Sequence, residues 1–115
     1  MQQILIICRH SALTGSLARE AQDMAMALAA LDHQVSLLYL GEAVLQLLPR
    51  SHSPAVKDFT LAQKLFALYD IDQVYVCAQA LARFGIDKAD LRIPCQAVPA
   101  EGALLLAQFQ QILVY

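Results

Sequence analysis

The chain has 115 residues, a formal charge of −2 at pH 7 and a hydrophobic share of 58%, with a mean hydropathy of +0.49 and a pI of about 5.8. That length holds one core and not two. The eight Lys and Arg are scattered, so no basic field recruits nucleic acid, and no apolar run reaches the roughly 18–20 residues that span a bilayer.

Residues 4–8 form a continuous apolar run, as expected of a strand buried on both faces. A polar turn follows over 9–15. From Ser16, a plausible cap, apolar residues recur at Leu17, Ala21, Met24, Leu28 and Leu31 with the spacing of one helix face, and Glu20 lies in the favourable first turn. Asp32 and His33 close that helix, and 35–40 is a second buried strand. Gly41 turns the chain into a short helix over 42–48, ended by Pro49. Residues 50–54 are a loop. An amphipathic helix is expected over 55–69, with Phe59, Ala62, Phe66 and Tyr69 on one side. Then come a third strand at 73–76 and a short helix at 78–84 stopped by Gly85. A fourth strand follows at 93–98. Pro99 opens the last helix, 100–108, and a fifth strand closes the chain at 111–115. Strand and helix alternate throughout. That order gives an α/β, single-domain, three-layer flavodoxin-like fold over 1–115, with about five mainly parallel strands.

Ordinary soluble domains are about 45–50% apolar, so this chain carries a surplus. A subunit interface is the expected outlet, and an obligate oligomer follows, with non-identical partners among the options. The start, Met1-Gln2-Gln3, lacks a basic n-region, and 4–8 is too short for a signal peptide. Cys8, Cys77 and Cys95 are odd in number and lack CxxC spacing, against both a disulfide scaffold and a structural zinc site. A reducing cytoplasm is the expected compartment.

The candidate site is Cys77. A strand running directly into a cysteine, with a helix behind it, puts a thiol at the carboxyl edge of a parallel sheet, where open α/β sheets keep their chemistry. A helix amino terminus also favours the thiolate. The bland alternative is a small buried hydrophobe. Arg83 lies more than a helical turn away, and no Lys or His stands close in sequence. Cys8 shares the edge with Cys77 if strands one and three are neighbours, and Cys95 lies inside the fourth strand as core. The loop 9–15 lacks GxGxxG and the P-loop ending, so nucleotide binding is not expected from it. His10 in that loop is in position to tune a thiol. His33 and His52 are isolated, Arg19 and Glu20 make helix-surface or interface contacts, and Asp70 and Asp72 read as turn residues.

Several stretches together resemble one family. Arg19-Glu20-Ala21 with Asp23 lies in the first helix, and Gly41-Glu42-Ala43-Val44-Leu45-Gln46-Leu47-Leu48-Pro49 follows the second strand. Leu68-Tyr69-Asp70-Ile71 leads to Val76-Cys77-Ala78 with Leu81 and Gly85, and the chain ends Gln111-Ile112-Leu113-Val114-Tyr115. End to end, the chain resembles the TusC/DsrF branch of the DsrE/DsrF/DsrH sulfur-relay family. It departs from the family in its first loop, where Leu13 and Thr14 rather than a proline precede Gly15.

The resemblance implies a cytoplasmic hetero-oligomer with TusB-like and TusD-like subunits. It takes persulfide sulfur from a TusA-like donor and gives it to a TusE-like acceptor, for 2-thiouridine at the tRNA wobble position. In the related Dsr complexes the traffic serves dissimilatory sulfur oxidation. The implied chemistry is thiol–persulfide exchange, with no metal or organic cofactor, no direct nucleic-acid contact and no membrane. In the family the sulfur carrier belongs to the TusD/DsrE subunit, at the place matching Cys77. A TusC-like chain is a non-catalytic companion, and Cys77 as a persulfide carrier in its own right is the alternative.

Overall fold

The computed structural model describes residues 2–12, 15–49 and 59–115, without the side chains of 59–61, 100, 101 and 104. Five parallel strands form one sheet in the order β4-β3-β2-β1-β5. They are β1 (Gln3–Cys8), β2 (Gln34–Tyr39), β3 (Gln73–Cys77), β4 (Gln96–Val98) and β5 (Gln111–Val114). The alternation of strand and helix in the sequence foretells this sheet, and the strand centres stand where the apolar runs put them.

Register assigns each side chain to a face. Ile4, Ile6 and Cys8 pair in register with Val35, Leu37 and Tyr39, and the last two with Val74 and Val76. Because side chains alternate along a strand, these eight share one face, and all are buried. Helix α1 (Leu17–Ala30) packs against β1 and β2 through Ala18, Ala21, Ala25 and Ala29. A stripe of small side chains lets a helix lie close to the sheet. Right-handed crossovers put the β1-to-β2 and β4-to-β5 connections on opposite faces, because they cross the sheet in opposite directions. The second face is accordingly covered by the segment Ala100–Gln108, whose Gly102 rests on Leu38.

Three expected α-helices are instead 3₁₀ helices: Gly41–Leu47, Phe59–Tyr69 and Ala100–Gln108. The first has Gly41 at φ +53° at one end, and at the other the extended Leu48 that must precede Pro49. Gly102, at φ +73°, breaks α geometry inside the third. Tyr69, expected on the packed side with Phe66, is exposed while Phe66 is buried. The loop 50–54, the start of the 55–69 helix and His52 lie outside the described residues, as do Leu13 and Thr14.

Two cysteine expectations are corrected. The fourth strand starts at Gln96, not residue 93, because Pro94 cannot donate to a sheet ladder. Cys95 therefore precedes the strand, half-buried, with its Sγ 3.3 Å from the Ile93 carbonyl oxygen. Strands β1 and β3 are not neighbours, since β2 separates them. Cys8 pairs with Tyr39 and Tyr39 with Val76, so Cys77, one residue on, faces the other side of the sheet. A two-thiol site is ruled out by register.

Candidate functional site

Cys77 is the last residue of β3 and the residue that opens α2 (Ala78–Arg83). Its φ and ψ of −68° and 119° are still those of a strand, so the chain changes direction immediately behind the sulfur. The residue is 3% exposed. It nonetheless lines an open cleft of about 210 Å³ with Gly41, Gln79, Ala80 and Arg83. Arg83, distant in sequence terms, comes into the cleft because the short helix turns its last residue back over it. Its guanidinium carbon lies 5.2 Å from the centroid of the Phe84 ring.

Gly41, which follows β2, forms the wall of the cleft opposite α2, and the loop after β1 is tied to the segment that Gly41 opens. His10 does not turn toward the thiol; its Nδ1 lies 4.0 Å from Glu42 Oε1. The Ser11 backbone N–H donates to the same oxygen at 3.3 Å. Gln46, buried among apolar neighbours, donates from Nε2 to the His10 carbonyl at 2.7 Å. Gln63 donates in turn to the Gln46 carbonyl at 3.0 Å. Arg92 donates from its backbone N–H to Leu47 at 2.7 Å, and from its guanidinium to the carbonyls of Leu48 and Pro49 at 3.1 and 3.0 Å. A cation suits the carbonyl end of a helix. These ties hold the Gly41–Leu47 segment firmly at the carboxyl edge.

Gln46, Glu42 and Arg92 have no assigned role in the sequence reading. A lone glutamine inside the apolar run Ala43–Leu48 was the available signal for Gln46, since a buried carboxamide has to find partners. Nothing local marks Arg92, which acts across more than 40 residues of chain. Ser16 does not cap a backbone N–H of α1; its hydroxyl donates to Glu20 Oε2 at 2.8 Å. Arg19 pairs with Asp23 at 3.8 Å on the exposed helix surface. Asp70 is a turn residue, at φ +60°. His33 accepts from the Gln2 N–H at 3.3 Å, at the opposite edge of the sheet.

Burial pushes the Cys8 thiol up to about 12. Burial also lifts Cys95 to about 11, partly offset by the nearby Lys88 cation. Both are therefore poor nucleophiles near neutral pH. Among the described residues no group of three or more His, Cys, Asp or Glu is placed to hold a metal. No described helix is long and apolar enough to cross a membrane.

A parallel sheet with this strand order, and a cysteine closing its third strand above a short helix, defines a class of small α/β proteins. The chain matches the DsrE/DsrF-like family over residues 2–112. The crystal structure of the ychN protein from E. coli shares the fold, with a TM-score of 0.86 over 100% of both chains at 16% identity. The chain belongs to the DsrE/DsrF-like family.

Curated relatives narrow the position within it. Protein TusC homolog of Vibrio parahaemolyticus is 35% identical over 103 residues, 88% of this chain and 87% of that one. Protein TusC of Klebsiella pneumoniae is 40% identical over 91 residues, 77% and 76% of the two chains. The Pseudomonas aeruginosa TusC homolog is 32% identical over 115 residues, 97% of each. The chain is thus a member of the TusC/DsrF branch.

Proposed function

We propose that this chain is the TusC-like companion subunit of a cytoplasmic sulfur-relay hetero-oligomer. Its partners are TusB-like and TusD-like chains. The assembly accepts persulfide sulfur from a TusA-like donor and delivers it to a TusE-like acceptor for 2-thiouridine formation in tRNA. The similarity to TusC proteins across most of the chain carries this reading.

Two features support the companion role. The Cys77 sulfur is nearly covered, whereas in-line exchange with a protein-bound persulfide needs a sulfur that a partner can reach. The surface also leaves large apolar side chains outside. Leu17 and Met24 on α1 and Leu31 at its C-cap are exposed at seven-residue intervals, and Ile112 and Val114 on the edge strand β5. Co-expression with the TusB-like and TusD-like chains tests the reading. Joint purification at fixed stoichiometry is expected, and independent elution would refute it.

The cleft running from Cys77 to Arg83 favours a second reading, in which Cys77 carries sulfur itself. The Cys77 thiolate would attack the outer sulfur of R–S–SH. A new S–S bond forms, the donor's S–S bond breaks, and the donor leaves as R–S⁻; no external oxidant is needed. Labelled sulfur from the donor separates the two readings. For a companion subunit, wild type and Cys77→Ser load equally, and for a carrier the label is lost from Cys77→Ser.

A further inference from the structure

The second face of the sheet breaks a rule that the first obeys. Strands covered on both faces are apolar throughout, and the α1 face conforms. On the opposite face, the amino-terminal ends of four adjacent strands carry polar side chains. Gln3 pairs in register with Gln34, Ser36 with Gln73 and Tyr75 with Gln96. On the same face Leu5, level with Ser36, and Leu38, level with Tyr75, are apolar and buried, as is Ile7. The polar patch floors an open cavity of about 390 Å³, lined by Gln3, Gln34, Ser36, Gln73, Tyr75, Gln108 and Phe109.

Ser36 is the informative residue. It sits in the middle of β2, is 3% exposed and lines the cavity. Its hydroxyl is not among the buried side-chain atoms left without a partner, because it opens onto the cavity. A hydroxyl that opens onto a cavity takes its hydrogen bond from whatever fills that cavity. The Tyr75 hydroxyl donates to Gln73 Oε1 at 3.3 Å, which leaves the Gln73 amide N–H groups for other partners. The cavity walls carry no Asp, Glu, Lys, Arg or His. They offer carboxamides, two hydroxyls and the rings of Tyr75 and Phe109.

We propose that this cavity, at the edge of the sheet opposite Cys77, binds an uncharged planar heterocycle with adjacent N–H and C=O or ring-nitrogen groups, of nucleobase size. A carboxamide pairs with such an edge through one donor and one acceptor at once. The two aromatic rings give a flat ligand something to lie against. The lack of charged walls selects against phosphates and carboxylates. Ser36 supplies a further hydrogen bond at the floor.

The test is a titration of the isotope-labelled full chain with uridine and adenosine, with ribose as the control, followed by NMR. Saturable shifts are expected at the side-chain amides of Gln34 and Gln73 and at the Ser36 backbone, from the nucleosides and not from ribose. Ser36→Ala and Gln34→Leu should each weaken binding at least tenfold. Gln108→Leu, on the exposed cover and outside the sheet, should do the same without any risk to the strands. Absence of saturable shifts at millimolar nucleoside overturns the proposal, leaving a cavity that holds water only. Equal shifts from ribose, or binding that survives Gln108→Leu unchanged, overturn it as well.

Discussion

Cys8 and Tyr39 stand in register on adjacent strands, both buried on the α1 face. Burial raises the Cys8 thiol to about 12. It also raises the Tyr39 phenol well above its ordinary value, helped by the thiols of Cys8 and Cys95. In the unfolded chain a cysteine loses its proton near pH 9, while native Cys8 keeps it to about 12. Across that window the unfolded state binds fewer protons than the native one, so stability falls as pH rises. Below the window the contribution of Cys8 is fully present. Urea unfolding between pH 8.5 and 11 should therefore show a steep alkaline loss, and Cys8→Ala should show a shallower slope on a lower baseline.

A second residue-scale prediction concerns Asp32. It closes α1 at φ +68°, with its N–H bonded to Ala29 O and the His33 N–H to Leu28 O. A side chain in that left-handed conformation costs about 1–2 kcal/mol, and glycine removes the cost at some expense in chain entropy. Asp32→Gly is expected to stabilise the chain by about 0.5–1 kcal/mol in a denaturant titration.

At the scale of elements, the cover over the second face depends on one close approach. A Cβ on Gly102 would stand 2.9 Å from Leu38 Cδ2, at a φ that disfavours any side chain. Gly102→Ala should cost at least about 1–2 kcal/mol and lower the unfolding midpoint. The Gly41–Leu47 segment depends on Gln46. Gln46→Leu leaves the His10 carbonyl without its donor and should cost about 1–3 kcal/mol. Faster amide exchange at residues 9–12 would accompany it, because that loop is held through His10.

Legibility in the sequence differs between elements for physical reasons. The strands β1, β2 and β3 announce themselves because each is dominated by β-branched, aliphatic and aromatic residues, unbroken over 4–8 and interrupted only by Ser36 in the second. Their covers are legible in position but not in helix type. The recurrence of apolar side chains three and four residues apart is common to α and 3₁₀ helices over two turns, and what decides is the backbone at Gly41, Leu48 and Gly102. The position of Cys77 at a strand-to-helix junction was readable from local sequence. The cleft around it was not, because Gly41 and Arg83 reach it only through strand order and the turn of α2. Strand order is not written in any single strand, which is why Cys8 and Cys77 read as potential neighbours while register sets them on opposite faces.

For the molecule as a whole, the surplus of apolar residues has a location. Leu31 is 69% exposed and Val114 53% exposed. The first caps the carboxyl end of α1, in line with Leu17 and Met24, and the second lies on a strand that, among the described residues, pairs on one side only. A groove between α1 and the chain's last residue joins Met24 and Ala27 to Tyr115, with Glu20 and Asp23 at its rim. Unpaired strand edges and apolar helix faces are the surfaces that subunits cover. Met24→Lys and Val114→Lys alter these surfaces without touching the buried core, so each should leave the melting temperature of the isolated chain within the range of ordinary surface substitutions. In the proposed assembly with TusB-like and TusD-like chains the same substitutions would put a charge into a subunit contact, so the double variant is expected to lose joint purification. Retained assembly with an intact fold would show that partners use other surfaces. Loss of assembly with an unchanged melt would locate the interface along α1 and β5, on the side of the sheet away from the β4 edge.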